Sequence, residues 1–162
     1  MIAMLTNPKF WLLAAVALPA IAFLALKAIS LTGKKPSRPE SPAVLPPCGE
    51  SPNCVCSEDP REAYHIAPLS YEGAAEEAWA RLKSVLQSLG GEQVTADGQY
   101  LWFEFRTPII RFTDDVECRL DTASGQIEIR SASRAGHSDL GANRKRVEKI
   151  REAFNVDQSP RN

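Results

Sequence analysis

The chain has 162 residues, with 19 lysines and arginines against 20 aspartates and glutamates, a net charge of −1. That length holds one domain of ordinary size plus appendages, not two full domains, and the balanced charge removes the electrostatic footprint of a dedicated nucleic-acid binder. At 44% hydrophobic and 24% charged it is neither disordered throughout nor wholly membrane-buried, and two histidines and four cysteines leave few ways to build a transition-metal site.

Apolar residues concentrate at the N-terminus. Phe10 to Leu26 carries no charge, and the run extends to Leu31 if Lys27 is tolerated. As helix the shorter run rises about 25 Å and the longer about 33 Å, against a hydrocarbon core of about 30 Å. Lys27 can snorkel to the interface, and Pro19 is tolerated in a membrane helix. Residues 1–31 are read as an uncleaved single-pass anchor. The alternative is a cleaved signal peptide, with only Lys9 in its n-region and Ala28-Ile29-Ser30 as a small-x-small site.

Residues 32–61 hold seven of the twelve prolines and are read as an extended linker with a cysteine loop. An α+β domain is expected over 62–156, and 157–162 is a polar, frayed tail. Within the domain, Tyr64 to Leu69 reads as a first strand. Ala75, Ala78, Trp79, Leu82, Val85, Leu86 and Leu89 recur at steps of three and four, one buried helix face stopped by Gly90-Gly91. The period then becomes two. Gln93 to Ala96, a turn at Asp97-Gly98 and Tyr100 to Arg106 form a hairpin. Strands follow over Asp115–Asp121 and from Ile127 to about Arg134, and a last helix runs from about Asp139 to Phe154. The expected fold is an antiparallel sheet of about five strands packed with two helices.

The densest polar stretch runs from Arg130 to Arg146 and contains Ser131, Ser133, Arg134, His137, Ser138, Asp139 and Asn143. Ser138 or Asp139 can cap the last helix, whose N-terminus beside Arg130 and Arg134 suits a phosphate or carboxylate. A structural alternative pairs those arginines with Asp114, Asp115, Glu104 and Glu117 on neighbouring strands. Asp114, Asp115 and Glu117 can be read as a carboxylate cluster for Ca²⁺ or Mg²⁺ or as an acid–base pair, but Asp114 and Asp115 are adjacent on a strand and point to opposite faces unless a bulge re-aims one. His137 with Asp114 or Asp115 is the best hydrolase constellation available, and its spacing matches no known triad order.

Cys48 and Cys54 flank a turn-rich loop that can join their thiols, and Cys56 and Cys118 can pair if the end of the linker packs on the sheet. A disulfide framework with three possible connectivities is expected over a zinc site, since C-x5-C-x-C lacks the tight C-x2-C spacing. No cofactor or metal is expected.

Ser51-Pro52-Asn53-Cys54-Val55 with Cys48 before it, Asp114-Asp115-Val116-Glu117, and the stretch from Arg130 to Arg146 together resemble the bacterial and plastid family known as domain of unknown function 1499, from about Cys48 to Arg151. The resemblance implies no established activity, and a domain that is often exported or membrane-tethered. The family's signature falls on Asp114, Asp115, Glu117, Arg130, Ser131, Ser133, Arg134, Gly136, Ser138, Asp139, Gly141, Asn143 and Arg146. His137 stands where the pattern has tyrosine, and Cys56 and Cys118 stand where it has serine and an aromatic residue. The cysteine departures favour a second disulfide between those two residues.

Lys34, Lys35 and Arg38 follow the anchor and only Lys9 precedes it, which by the positive-inside rule keeps the domain cytoplasmic. The cysteines and the resemblance place it on the periplasmic or extracytoplasmic side, the location expected here. The functional expectation is a membrane-tethered, non-enzymatic accessory domain that binds a protein partner or small anionic ligand at the last strand-to-helix junction. The alternative is a hydrolase using Asp114 or Asp115 with His137.

Overall fold

The computed structural model describes residues 8–37 and 43–156; the tail at 157–162 lies outside the described residues. Helix α1 spans Pro8–Thr32 with Pro19 inside it. Its stretch Trp11–Thr32, 22 residues with none of them buried, is long and apolar enough to cross a membrane.

Six strands follow: β1 (Cys54–Cys56), β2 (Leu69–Ser70), β3 (Glu92–Asp97), β4 (Tyr100–Arg106), β5 (Thr113–Asp121) and β6 (Gln126–Ser133). Helix α2 (Ala75–Ser88) precedes β3, and α3 (Ala142–Val156) follows β6. All pairings are antiparallel, in the order β1-β6-β5-β4-β3, and β2 pairs β6 further along the edge that β1 occupies. The α+β layer expected from the change of period is what forms. At the opposite edge, β3 slips its register against β4 between Gln93 and Thr95.

One face of the sheet carries Leu101, Phe103, Val116, Cys118 and Ile129 against Leu82 and Leu86 of α2 and Val147, Ile150 and Phe154 of α3. These are the inward residues of each alternating strand and the apolar stripe of each helix. Two elements begin well after the residue expected for them, and a short strand, β1, forms within the stretch expected to be linker. The strand expected at Tyr64 shrinks to β2 because the Tyr64 and His65 amides bond back to Arg61 and Glu62 carbonyls in a turn. Helix α3 starts at Ala142 rather than Asp139, because Leu140 and Gly141 sit at φ of +52° and +78°, outside any right-handed helix.

The second face is covered as well. Leu45, Cys48, Cys54 and Cys56 pack with Tyr100, Trp102 and Ala132. Part of the stretch read as an extended spacer is therefore laid on the sheet, held by directional bonds in place of helical ones. Cys48 and Cys54 form a disulfide. The buried Asp59 accepts from the Cys48 amide at 2.9 Å and from the Arg61 Nε at 2.9 Å, and Arg61 stacks on Tyr64. The Arg61 hydrogen bond holds the Asp59 carboxyl well below the usual carboxylate range. Glu58 ties the segment to the sheet, accepting from Arg119 at 2.7 Å and from the Leu45 amide at 2.6 Å.

Cys56 and Cys118 are free thiols, so the second disulfide expected between them does not form. The register gives the reason. Cys56 lies opposite Arg130, which lies opposite Glu117, so Cys56 shares the face of those two residues. Cys118 is one residue on from Glu117 and points to the other face, inside the helix-side core. The sheet itself stands between the two sulfurs.

Candidate functional site

The polar residues singled out in the sequence divide into two networks, one on each side of the sheet. Adjacent positions on β5 separate first. Asp114 and Asp115 face opposite ways, as strand geometry requires.

On the helix side, the buried Asn143 of α3 is the hub. Its Nδ2 donates to the Asn53 carbonyl at 2.8 Å and to Ser133 Oγ at 2.9 Å. Its Oδ1 accepts from Ser131 Oγ at 2.6 Å and from Arg146 at 2.7 Å. Arg146 continues to Asp114 at 2.5 Å. Every polar atom of the Asn143 amide is thus used inside the protein, joining β6, β5, α3 and the loop before β1. The network closes the fold and leaves no reactive group free.

On the other side, register brings Glu104 beside Asp115 and Trp102 beside Glu117, with Arg130 next in that second row. Arg130 donates to Glu117 at 2.6 Å, and Tyr100 donates to the second oxygen of that carboxylate at 2.8 Å. Trp102 Nε1 donates to Asp115 at 2.7 Å. Arg134 grips Asp115 through two bonds, at 2.9 and 2.6 Å, and Glu104 at 2.6 Å. The Asp115 carboxylate pushes the Arg134 guanidinium further up, against the opposing effect of burial. Arg106 ends the chain, pairing with Glu104 and with Glu92 at the rim. Such a low-dielectric network is stable only when each charge is matched.

One group in it is not fully matched. The Nε of Arg130 is buried without a hydrogen-bond partner. Arg130 lines a cleft of about 140 Å³ together with Lys34, Pro36, Asp115, Ala132, Ser133 and Arg134. Three cations therefore meet one carboxylate there. Lys35 lies over the Trp102 ring, 5.0 Å from its centre, so the segment following α1 forms the outer wall.

Beyond Arg134, the loop between β6 and α3 contributes little to either network. His137 and Ser138 are exposed. Asp139 caps α3: its carboxylate accepts from the Asn143 amide at 2.7 Å and from the Gly141 amide at 2.9 Å. The helix N-terminus thus already holds an anion of its own. No hydrogen bond among the described residues joins His137 to Asp114 or Asp115, and each carboxylate is engaged by an arginine instead. Among the described residues no three histidines, cysteines, aspartates or glutamates gather around a potential metal site.

Sequence reasoning named the two arginines, and it missed Lys34, Tyr100 and Trp102 as members of their network. The alternation of β4 put Trp102 and Glu104 on one face, but only the register shows which rows they join. No curated protein gives a match to this chain. The family described as protein of unknown function (DUF1499) matches residues 44–154, a span that takes in the covering segment, the whole sheet, α2 and nearly all of α3. The chain belongs to the DUF1499 family.

Proposed function

We propose that this protein is a membrane-anchored, extracytoplasmic binding domain that takes a small anionic group, a phosphate or carboxylate, in the cleft bounded by Lys34, Arg130 and Arg134. The observation that carries this is the buried Arg130 Nε, a donor without a partner in a cleft lined by three cations and one carboxylate. An oxygen anion supplies the missing acceptor and gains charge-assisted hydrogen bonds from the cations that line the cleft. The geometry gives no comparable support to hydrolysis, since neither aspartate is bonded to His137.

The extracytoplasmic assignment draws on the Cys48–Cys54 disulfide, a bond that persists in oxidising compartments. Lys34 and Lys35, which argue for the cytoplasm by charge count, have work in the domain as cleft wall and as a cation over Trp102. The apolar Trp11–Thr32 helix serves as the anchor.

Isothermal titration of inorganic phosphate, sulfate and acetate into the full chain in detergent tests the cleft. Saturable binding is expected for at least one of them. Lys34→Gln leaves the buried ion pairs intact and should weaken that binding about tenfold, the worth of one charge-assisted hydrogen bond. Binding that is absent, or indifferent to Lys34→Gln, overturns the assignment.

A further inference from the structure

Two loops stand where the anchor meets the domain, between β4 and β5 and between β6 and α3. The first touches α1 directly: Lys27 Nζ donates to the Ile110 carbonyl at 3.2 Å. The second lies against the residue just past the helix, where a Cβ on Gly33 would come within 3.0 Å of the Arg134 Cβ. Each loop presents a large apolar side chain to the outside, Ile109 at 75% exposure and Leu140 at 88%. Among the described residues, the only two non-glycine residues with positive φ are Arg111 at +62° and Leu140, one in each loop. Such backbone costs on the order of 1 kcal/mol or more per residue and persists where the surroundings or a function hold it.

Depth along α1 gives these loops a common partner. Lys27 lies five residues before Thr32, about 7 Å back along the helix axis. If the apolar stretch of α1 spans the bilayer, the Ile110 carbonyl sits at that depth too. Interfacial segments bury their apolar groups about 5–10 Å into the boundary between headgroups and acyl chains. The cations near the loops, Arg111, Lys34 and Lys35, suit phospholipid headgroups, and the nearby Asp139 is occupied in capping α3.

We infer that the domain rests on the bilayer itself, with Ile109 and Leu140 inserted at the lipid interface beside the anchor. This rests on the membrane-anchored reading of α1 above. The partner is the lipid surface, and the face is continuous with the anchor through the Lys27–Ile110 contact. The end of the sheet bearing the turn at Thr122–Gly125 then points away from the membrane, because β5 and β6 both run between that turn and the two loops.

The test uses the full chain in vesicles of phosphatidylcholine and phosphatidylglycerol, with an environment-sensitive dye on a single introduced cysteine. The native Cys56 and Cys118 are buried and Cys48 and Cys54 are bonded, so the dye reports the introduced site. Quenching by lipids brominated on their acyl chains is measured for Phe23→Cys, Ile109→Cys, Leu140→Cys and Ser124→Cys. The expected result is strong quenching at positions 23, 109 and 140 and none at 124. Quenching at 23 alone overturns the docking while the anchor stands. No quenching at any position overturns the anchor reading and the docking together, and equal quenching at all four overturns the orientation on which the docking depends.

Discussion

The two faces of the sheet are buried by opposite means. The helix-side face is an apolar core in which Phe103, Val116, Ile129 and Phe154 are fully buried. The other face buries Glu104, Asp115, Glu117 and Arg130, with Glu117 fully excluded from solvent. Apolar burial is non-directional and tolerates changes of shape that preserve volume. A matched set of buried charges depends on every member, since one loss strands its partner in a low dielectric. Two small helices suffice to cover the first face. The second needs a disulfide, a buried carboxylate and several side-chain bonds to hold a short irregular segment over it.

The contrast is broken most severely at Glu117. Glu117→Ala leaves Arg130 without its anion partner and should lower unfolding stability by about 3–5 kcal/mol, read by chemical denaturation of the full chain in detergent. Asn143→Ala, on the helix side, should cost on the order of 3 kcal/mol, because it strands several buried donors and acceptors at once. By comparison Ile129→Val, two residues from Asn143's partner Ser131, should cost only about 1 kcal/mol. A Glu117→Ala variant no less stable than Ile129→Val would abolish the distinction between the faces.

The covering segment sharpens the comparison through pH. Arg61 holds Asp59 well below the ordinary carboxylate range, so the Asp59 contribution to stability is fully present above about pH 4. It is lost as pH falls through the lower folded-state value, because the unfolded chain takes up the proton first. Denaturation midpoints between pH 7 and 3 should decline less steeply for Asp59→Asn than for the native chain. Lys35→Gln should cost about 0.5–1 kcal/mol through the lost contact with Trp102.

The smallest effect is chemical and leaves stability untouched. Burial pushes the Cys56 thiol up to about 11 and the Cys118 thiol higher as well. At pH 8 the folded protein should resist alkylation at both, and Cys48 and Cys54 should label only after reduction. Prompt labelling of Cys56 would mean that the covering segment opens readily, whereas Cys118 is guarded by the helices.

Much of this was legible in the sequence. Side-chain alternation in β4, β5 and β6 put Phe103, Val116 and Ile129 on one face and Glu104, Glu117 and Arg130 on the other. The steps of three and four gave the buried stripe of α2. Register was not legible, since it depends on which strand meets which, and so Trp102 and Tyr100 went unrecognised as partners of Asp115 and Glu117. The covering segment was hidden for a different reason. Its prolines and sparse apolar residues carry no period, and Leu45 and Cys48 are buried by the disulfide loop and the Asp59–Arg61 pair, not by any regular element. The polar stretch from Arg130 to Arg146 looked like one site because it is continuous in sequence, and β6 distributes it across both sides of the sheet.

On the anchored reading proposed above, the register slip between Gln93 and Thr95 in β3 bears on how copies of this protein share a membrane. Molecules tethered with one orientation meet side by side in two dimensions, often and in nearly the same pose. A flat, regular strand at the sheet's open edge would invite pairing between neighbours and growth into a ribbon. The slip disturbs the donor and acceptor spacing of that edge, and Asp97 adds a charge at its far end. At the opposite edge, β1 and β2 are too short to template a neighbour. The domain is thereby suited to being crowded without being joined.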